Sequence, residues 1–200
     1  QILQYGTNRF FYLKALLTII ASVTGLLTIL IGGMIQSAIL IPRSDLTLRV
    51  VDLPSSLQIA GLLFTSLVCG SRSALIACIA YLTIGIFFMP VFHGGGSTGY
   101  LMTPEFGYLL GFIPATWICS HLSSPKKESI YSLTLIAFIG LVTIHFTGLI
   151  YILIGTITTL FSLDLVKTVY LYSLSPFPFQ IILCPAIALL AKIFKALLII

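Results

Sequence analysis

Apolar residues run through this chain in long blocks separated by isolated charges. Residues 15–42, 53–71, 73–104, 106–125, 129–163 and 168–191 contain no Lys, Arg, Asp or Glu. A helix needs about 20 mostly apolar residues to cross a bilayer. The blocks predict six helices: Leu13–Ile41, Pro54–Cys69, Ser73–Phe92, Phe106–Leu122, Ile130–Phe161 and Pro178–Leu198. The second is short. About 16 residues at 1.5 Å each span roughly 24 Å, less than the ~30 Å hydrocarbon core, as in broken helices that line a cavity. Local punctuation supports the boundaries. Pro42 ends the first helix. Asp52 and Pro54 predict the start of the second, since Pro suits the first turn and a carboxylate suits the positive helix end. Gly70 stops that helix, and Thr103-Pro104 opens the fourth. Residues 162–177, with an apolar middle and Pro176, predict a connection on the membrane surface. Residues 1–200 read as a single transmembrane domain.

Composition fixes the class. Of 200 residues, 58% are hydrophobic and 8% are charged, against roughly 25% charged in soluble domains. That is an all-α integral membrane protein surrounded by lipid bilayer. The net charge of +5 then marks the cytoplasmic ends of spans rather than a nucleic-acid surface. With the N-terminus inside, Arg9, Lys14, Arg72, Lys126, Lys127, Lys192 and Lys195 are cytoplasmic, and Arg43, Arg49 and Lys167 lie outside. Seven against three predicts both termini cytoplasmic. The chain opens on Gln1 rather than Met, so residues are expected to precede it.

Chemical motifs are sparse. Cys69, Cys78, Cys119 and Cys184 form no C-x-x-C pair and each sits in an apolar run, which reads as small buried hydrophobes. His93, His121 and His145 show no helical pairing, so neither a metal nor a cofactor is expected. The loop from Pro90 to Tyr100 carries Gly94, Gly95, Gly96 and Gly99 and no charge. Its backbone can approach a ligand without a Cβ in the way, which predicts a cover over a small molecule. Gly94 and Gly99 have the G-x-x-x-x-G spacing of a phosphate loop, but Tyr100-Leu101 stands where Lys-Ser or Lys-Thr is needed. The chain is therefore not expected to be an ATPase or another enzyme. No acidic residue lies within a span, which argues against an ion-coupled carrier. Ala21 and Gly25, four apart, are candidates for docking a partner helix. Gly148 and Gly155 offer a similar small face on the fifth helix.

One ordered set of residues resembles a known family. It comprises Leu57-Gln58, Gly70-Ser71-Arg72, Ala80 to Gly85, Met89 to Phe92 with Gly94-Gly95-Gly96, and Pro104-Glu105-Phe106-Gly107-Tyr108-Leu109-Leu110-Gly111-Phe112. The set resembles BioY, the biotin-specific S-component of energy-coupling-factor (ECF) transporters. The resemblance runs from about Asp52 to the last helix, and more weakly into the first. It implies an S-component-like bundle in the cell membrane, with biotin captured at the outer face. It also implies an ECF module of one transmembrane coupling protein and two ATPase subunits. The implied biotin-binding residues are Gln58, Phe92, Gly94, Gly95, Gly96, Tyr108, Lys167 and Gln180. Many members open the last helix with P-G-D-L-I-K, which falls here on Pro178-Phe179-Gln180-Ile181-Ile182-Leu183. Gln180 can hydrogen-bond a ureido group, whereas Leu183 cannot pair a carboxylate. Lys167, Arg43 or Arg49 is left for that role, or the carboxylate stays in water. Other readings are an S-component for another vitamin or small carboxylic acid, and an integral membrane enzyme acting on lipid. The enzyme would need acid and base residues clustered at the interface.

Overall fold

The computed structural model describes residues 2–42, 48–92, 95–123, 128–160 and 164–198, with side chains from 12–38 and from 55 onward within those ranges. Helix α1 is Ile2–Met34. A hairpin follows, β1 Gln36–Pro42 and β2 Leu48–Ser56, antiparallel with Ala38 opposite Asp52 and Pro42 opposite Leu48. Then come α2 Gln58–Val68, α3 Ser71–Phe87, a 3₁₀ turn Thr98–Met102, α4 Pro104–Leu110 and α5 Phe112–Leu122. The chain closes with α6 Ile130–Ile157, α7 Leu165–Val169, a π-helical turn Tyr170–Leu174 and α8 Phe177–Leu198.

These elements form six helical bodies. Gly111, at φ −62° and ψ −17°, carries α4 directly into α5. The π turn joins α7 to α8. Tyr12–Met34, Ile130–Ile157 and Leu165–Leu198 are each long and apolar enough to cross a membrane. The protein is an integral membrane helical bundle. Its α2 is shorter than expected, 11 residues, or about 17 Å.

Several boundaries differ from the sequence reading. The first helix does not reach Ile41, and Pro54 does not open the second: residues 36–42 and 48–56 pair as strands instead. Short apolar runs carry no periodicity that separates a buried strand from a helix. The third helix stops at Phe87, because the residue before Pro90 is pushed out of the helical region. Within the predicted connection, residues 165–174 are helical, and Asp164 caps them by accepting from the Val166 N–H at 3.1 Å. Gly70 ends the second helix region as expected, at φ +75°, and α3 begins directly at Ser71, so Ser71 and Arg72 are helical rather than the tight turn the sequence predicts. Thr103 precedes α4 as expected, although its hydroxyl donates back to the Tyr100 carbonyl at 2.7 Å.

Helix α2 sits centrally, against α1, α5 and α8, and α6 packs on α4, α5 and α8. Small residues set the close approaches. A Cβ on Gly107 would meet the Tyr151 ring, and a Cβ on Gly148 would meet the Tyr108 ring, so α4 and α6 interlock reciprocally. Gly25 is also a packing glycine. It is buried against Thr65 of α2 and Ala77 of α3, with Ala21 half-buried one turn earlier. Its small face is thus spent inside the bundle rather than held open for a partner. Most buried hydroxyls donate to the carbonyl one turn back, as Thr65 does to Gly61 and Ser66 to Leu62. That satisfies them where no water is available.

Candidate ligand cavity

The helix ends that meet the hairpin enclose a cavity of about 380 Å³. Gln36, Ser55 and Ser56 reach it from the hairpin, Gln58 and Ile59 from the start of α2, and Tyr100 from the 3₁₀ turn. Glu105, Tyr108, Leu109 and Phe112 come from α4 and the start of α5. His145 of α6, Leu171 and Tyr172 of the π turn, then Pro176 and Gln180, complete the wall. The lining is mainly apolar rings with a few amides and hydroxyls, the usual character of a small-molecule site.

The polar wall is ordered by hydrogen bonds. Gln58 Nε2 donates to the Tyr81 hydroxyl at 2.6 Å, and Tyr81 donates in turn to the Val91 carbonyl at 3.4 Å. His145 is buried, with Nε2 2.7 Å from Gln180 Oε1 and Nδ1 3.3 Å from Ser173 Oγ. Ser173 Oγ lies 2.6 Å from the Tyr108 hydroxyl. Edge-on contacts with Tyr108, centroids 5.5 Å apart, and Phe177, 4.9 Å apart, fix the His145 ring. The π turn brings Ser173 inward to this network, and such local widenings recur at functional sites. Ser55 Oγ, also on the wall, is buried with no hydrogen-bond partner among the described residues.

Charge is nearly absent. Glu105 is the one carboxylate on the wall, and no Lys or Arg lines it among the described residues. Tyr100 donates to Glu105 Oε2 at 2.5 Å. Burial, and then the bond to the Glu105 carboxylate and its negative charge, push the Tyr100 phenol well above its ordinary range.

Of the residues singled out from sequence, Gln58, Tyr108 and Gln180 meet at this cavity. Phe92 does not line it. It is buried behind the wall, packed on Gly85 and between the rings of Tyr81 and Tyr100, at 5.5 and 4.9 Å. Gly95 and Gly96 are likewise off the wall. Gly95 pairs with Phe92, and Gly96 lies against Pro90 and the Gly85 carbonyl, where a Cβ would collide with backbone at 2.6–2.8 Å. The close approach that Gly96 permits is to the end of α3, Gly95 instead takes a φ of +139°, and the loop delivers Tyr100 to the cavity. Lys167 is exposed on α7, which turns Thr168 inward instead. Gly94 and Arg43 lie outside the described residues, as does the Arg49 side chain. Sequence reasoning missed His145, Glu105 and Tyr100. His145 did carry a signal, since an ionisable residue within a charge-free span marks function by default.

Comparison with known proteins places this architecture. The model of the BioY family matches residues 24–199. An uncharacterised 21.2 kDa protein from the psbX–ycf33 intergenic region of Cyanophora paradoxa is 33% identical over 144 residues, covering 72% of this chain and 74% of that protein. A probable biotin transporter BioY of Lysinibacillus sphaericus is 29% identical over 106 residues, 51% of this chain and 53% of the relative. Among solved structures, the S-component for biotin from an ECF-type ABC transporter superposes with a TM-score of 0.69. That match has 18% identity and covers 92% of this chain and 93% of the other.

Proposed function

The chain belongs to the BioY family, and on that premise we propose that it is the substrate-binding membrane subunit of a biotin uptake system. The observation that carries this reading is the cavity itself. A space of about 380 Å³ lined by rings and oriented amides is in the range of small-molecule sites, roughly 300–1,000 Å³. Biotin offers a bicyclic urea, a thioether ring and an aliphatic acid tail. The rings of Tyr100, Tyr108, Phe112 and Tyr172 suit its apolar body, and the glutamines suit its urea.

Position agrees with import. The hairpin, the Tyr100 turn and the Lys167 connection adjoin the cavity end, the end that the distribution of Lys and Arg assigns to the exterior. Both termini are then cytoplasmic, in the plasma membrane, and residues 1–200 act as one domain. Energy comes from elsewhere: a coupling protein and two ATPase subunits of an ECF module reorient the loaded subunit. No cofactor takes part. Ala21, half-buried on α1, remains a candidate contact for the coupling protein.

Equilibrium binding of labelled biotin to the purified protein tests the reading. Saturable binding at micromolar concentration or tighter is expected. Absence of binding would redirect the assignment to another vitamin or small carboxylic acid. Labelling of a Ser97→Cys variant from the outside of intact cells tests the orientation, and labelling from the inside alone would reverse it.

A further inference from the structure

Two glutamines reach the cavity from neighbouring helices, and each is held from behind in a definite sense. Tyr81 has one hydroxyl proton, which goes to the Val91 carbonyl at 3.4 Å. Its oxygen therefore accepts from Gln58 Nε2, at 2.6 Å. This leaves Gln58 Oε1, an acceptor, for the cavity. Gln180 is held the opposite way. Its Oε1 lies 2.7 Å from His145 Nε2, which must then carry the imidazole proton. His145 Nδ1 becomes an acceptor for Ser173 Oγ, and Ser173 accepts in turn from Tyr108. Donation runs from Tyr108 through Ser173 to His145, and from the other ring nitrogen to Gln180, with each proton used once. The amide NH₂ of Gln180 is left for the cavity, with two donors and no acceptor.

We propose that Gln58 and Gln180 form a matched acceptor–donor pair that reads the N–H and C=O of a neutral urea- or lactam-like edge. Tyr81 and His145 are the positioning residues that set the polarity. The proposal rests on the reading of the ligand as biotin, and deepens it by assigning the urea carbonyl to Gln180 and a urea N–H to Gln58. Left unheld, either amide could turn over and offer the wrong atom. A buried donor facing a donor costs far more than a poor fit, so sites of this kind discriminate strongly against ligands of reversed polarity.

The test uses biotin and 2-iminobiotin, in which the urea carbonyl is replaced by a group that is a protonated donor at neutral pH. Affinities are measured for the intact protein in detergent or nanodiscs. Wild type is expected to prefer biotin by about a hundredfold. Gln180→Glu turns the donor into an acceptor and should move the preference toward 2-iminobiotin by at least about tenfold more than Gln58→Glu does. The two variants add the same charge to the same cavity, so bulk attraction of the cation cancels in that comparison. Equal shifts, or no shift, would overturn the assignment. His145→Phe keeps the ring packing and releases the Gln180 amide. It should weaken biotin about tenfold and erode the preference, while His145→Asn, which restores an N–H donor, should regain part of both. A His145→Phe protein with the wild-type preference would overturn the proposal even if Gln180→Glu fails to fold. Wild type that binds biotin and 2-iminobiotin equally would overturn the polarity but not the biotin reading. Wild type that binds neither would end that reading as well.

Discussion

The two ends of this bundle are built from different residues, and the ligand cavity lies at one of them. At the cavity end the buried cluster is rich in large rings: Tyr81, Phe92, Tyr100, Phe106, Tyr108 and Phe112. At the other end it is made of Leu63, Leu67, Leu133, Leu141, Ile136 and Ile187 with Cys119, Cys184, Ala137, Ala188 and Ala191. None of that cluster's fully buried residues is aromatic. Small side chains let α6 and α8 approach closely, and in lipid such close packing is a main source of helix association. Rings with polar tips behave otherwise. They are stiff, they hold one another edge-on, and their hydroxyls must find partners. A wall assembled from them stands without filling its interior. One end of the protein is therefore a clamp on α2, α5, α6 and α8, and the other is a frame around a cavity.

Removing bulk from the clamp should be the most damaging single change. Leu63 is 1% exposed and packs beside Cys119 and the Gly140 face of α6. Leu63→Ala is expected to lower stability by about 2–4 kcal/mol, read as a fall in melting temperature in detergent. Biotin affinity should stay within about threefold of wild type, since a loss this far from the wall reaches only the clamp. A large loss of affinity with unchanged melting would show that the two ends are not separable.

The same substitution at two points on α6 sharpens the contrast. Gly148 faces Tyr108 at the frame, and Gly140 faces Cys119 and Leu63 at the clamp. Overpacking costs typically about 1–3 kcal/mol, and where that cost falls should depend on the end. Gly148→Ala pushes the Tyr108 ring and strains its 2.6 Å contact with Ser173. Binding should weaken roughly tenfold to a hundredfold, with a modest drop in melting temperature. Gly140→Ala should do the reverse, lowering melting while leaving affinity nearly intact. Combining it with Leu63→Ala, which removes the contact with Leu63 Cδ2 at 2.6 Å and leaves that with Cys119 Sγ, should destabilise less than the sum of the two. Calorimetry and thermal melts on the same samples separate these outcomes.

The sequence made the clamp easier to read than the frame. Long charge-free blocks locate α1, α6 and α8 because crossing lipid demands length and apolarity, both visible in one dimension. Gly70 and Gly148 announced a turn and a close approach for equally local reasons. The hairpin was hidden, since residues 36–42 are a short run that continues the apolar block of α1, and residues 48–56 carry Arg49 and Asp52, which read as a loop between spans. In the site, Gln58, Tyr108 and Gln180 were legible as polar or ring positions within a recognisable order of motifs. The glycine loop was ambiguous, because a run of glycines signals a close approach without saying to what; at Gly96 it is to the end of α3. His145 and Glu105 join the wall through the packing of α6 and α4, and what the sequence offered was an ionisable residue inside a charge-free span for His145 and a place in the Pro104–Phe112 motif for Glu105.

The smallest expected effect lies where the clamp meets water. Lys195 of α8 pairs with Glu128 at 3.2 Å and donates to Ser123 Oγ at 2.5 Å, and Ser123 in turn donates to the Leu67 carbonyl at 3.0 Å. These contacts tie the last turn of α8 to the ends of α2, α5 and α6. Both charged side chains are 12–13% exposed, so the pair is screened less than a surface bridge and still has to offset the loss of hydration. A double-mutant cycle with Lys195→Met and Glu128→Gln should give a coupling of about 1 kcal/mol in stability. No change in biotin affinity is expected, because the pair closes the clamp end and the vacancy lies at the other. A coupling that appears in affinity rather than in melting would mean that the clamp transmits strain to the frame. The separation of the two ends would then fail at its weakest joint.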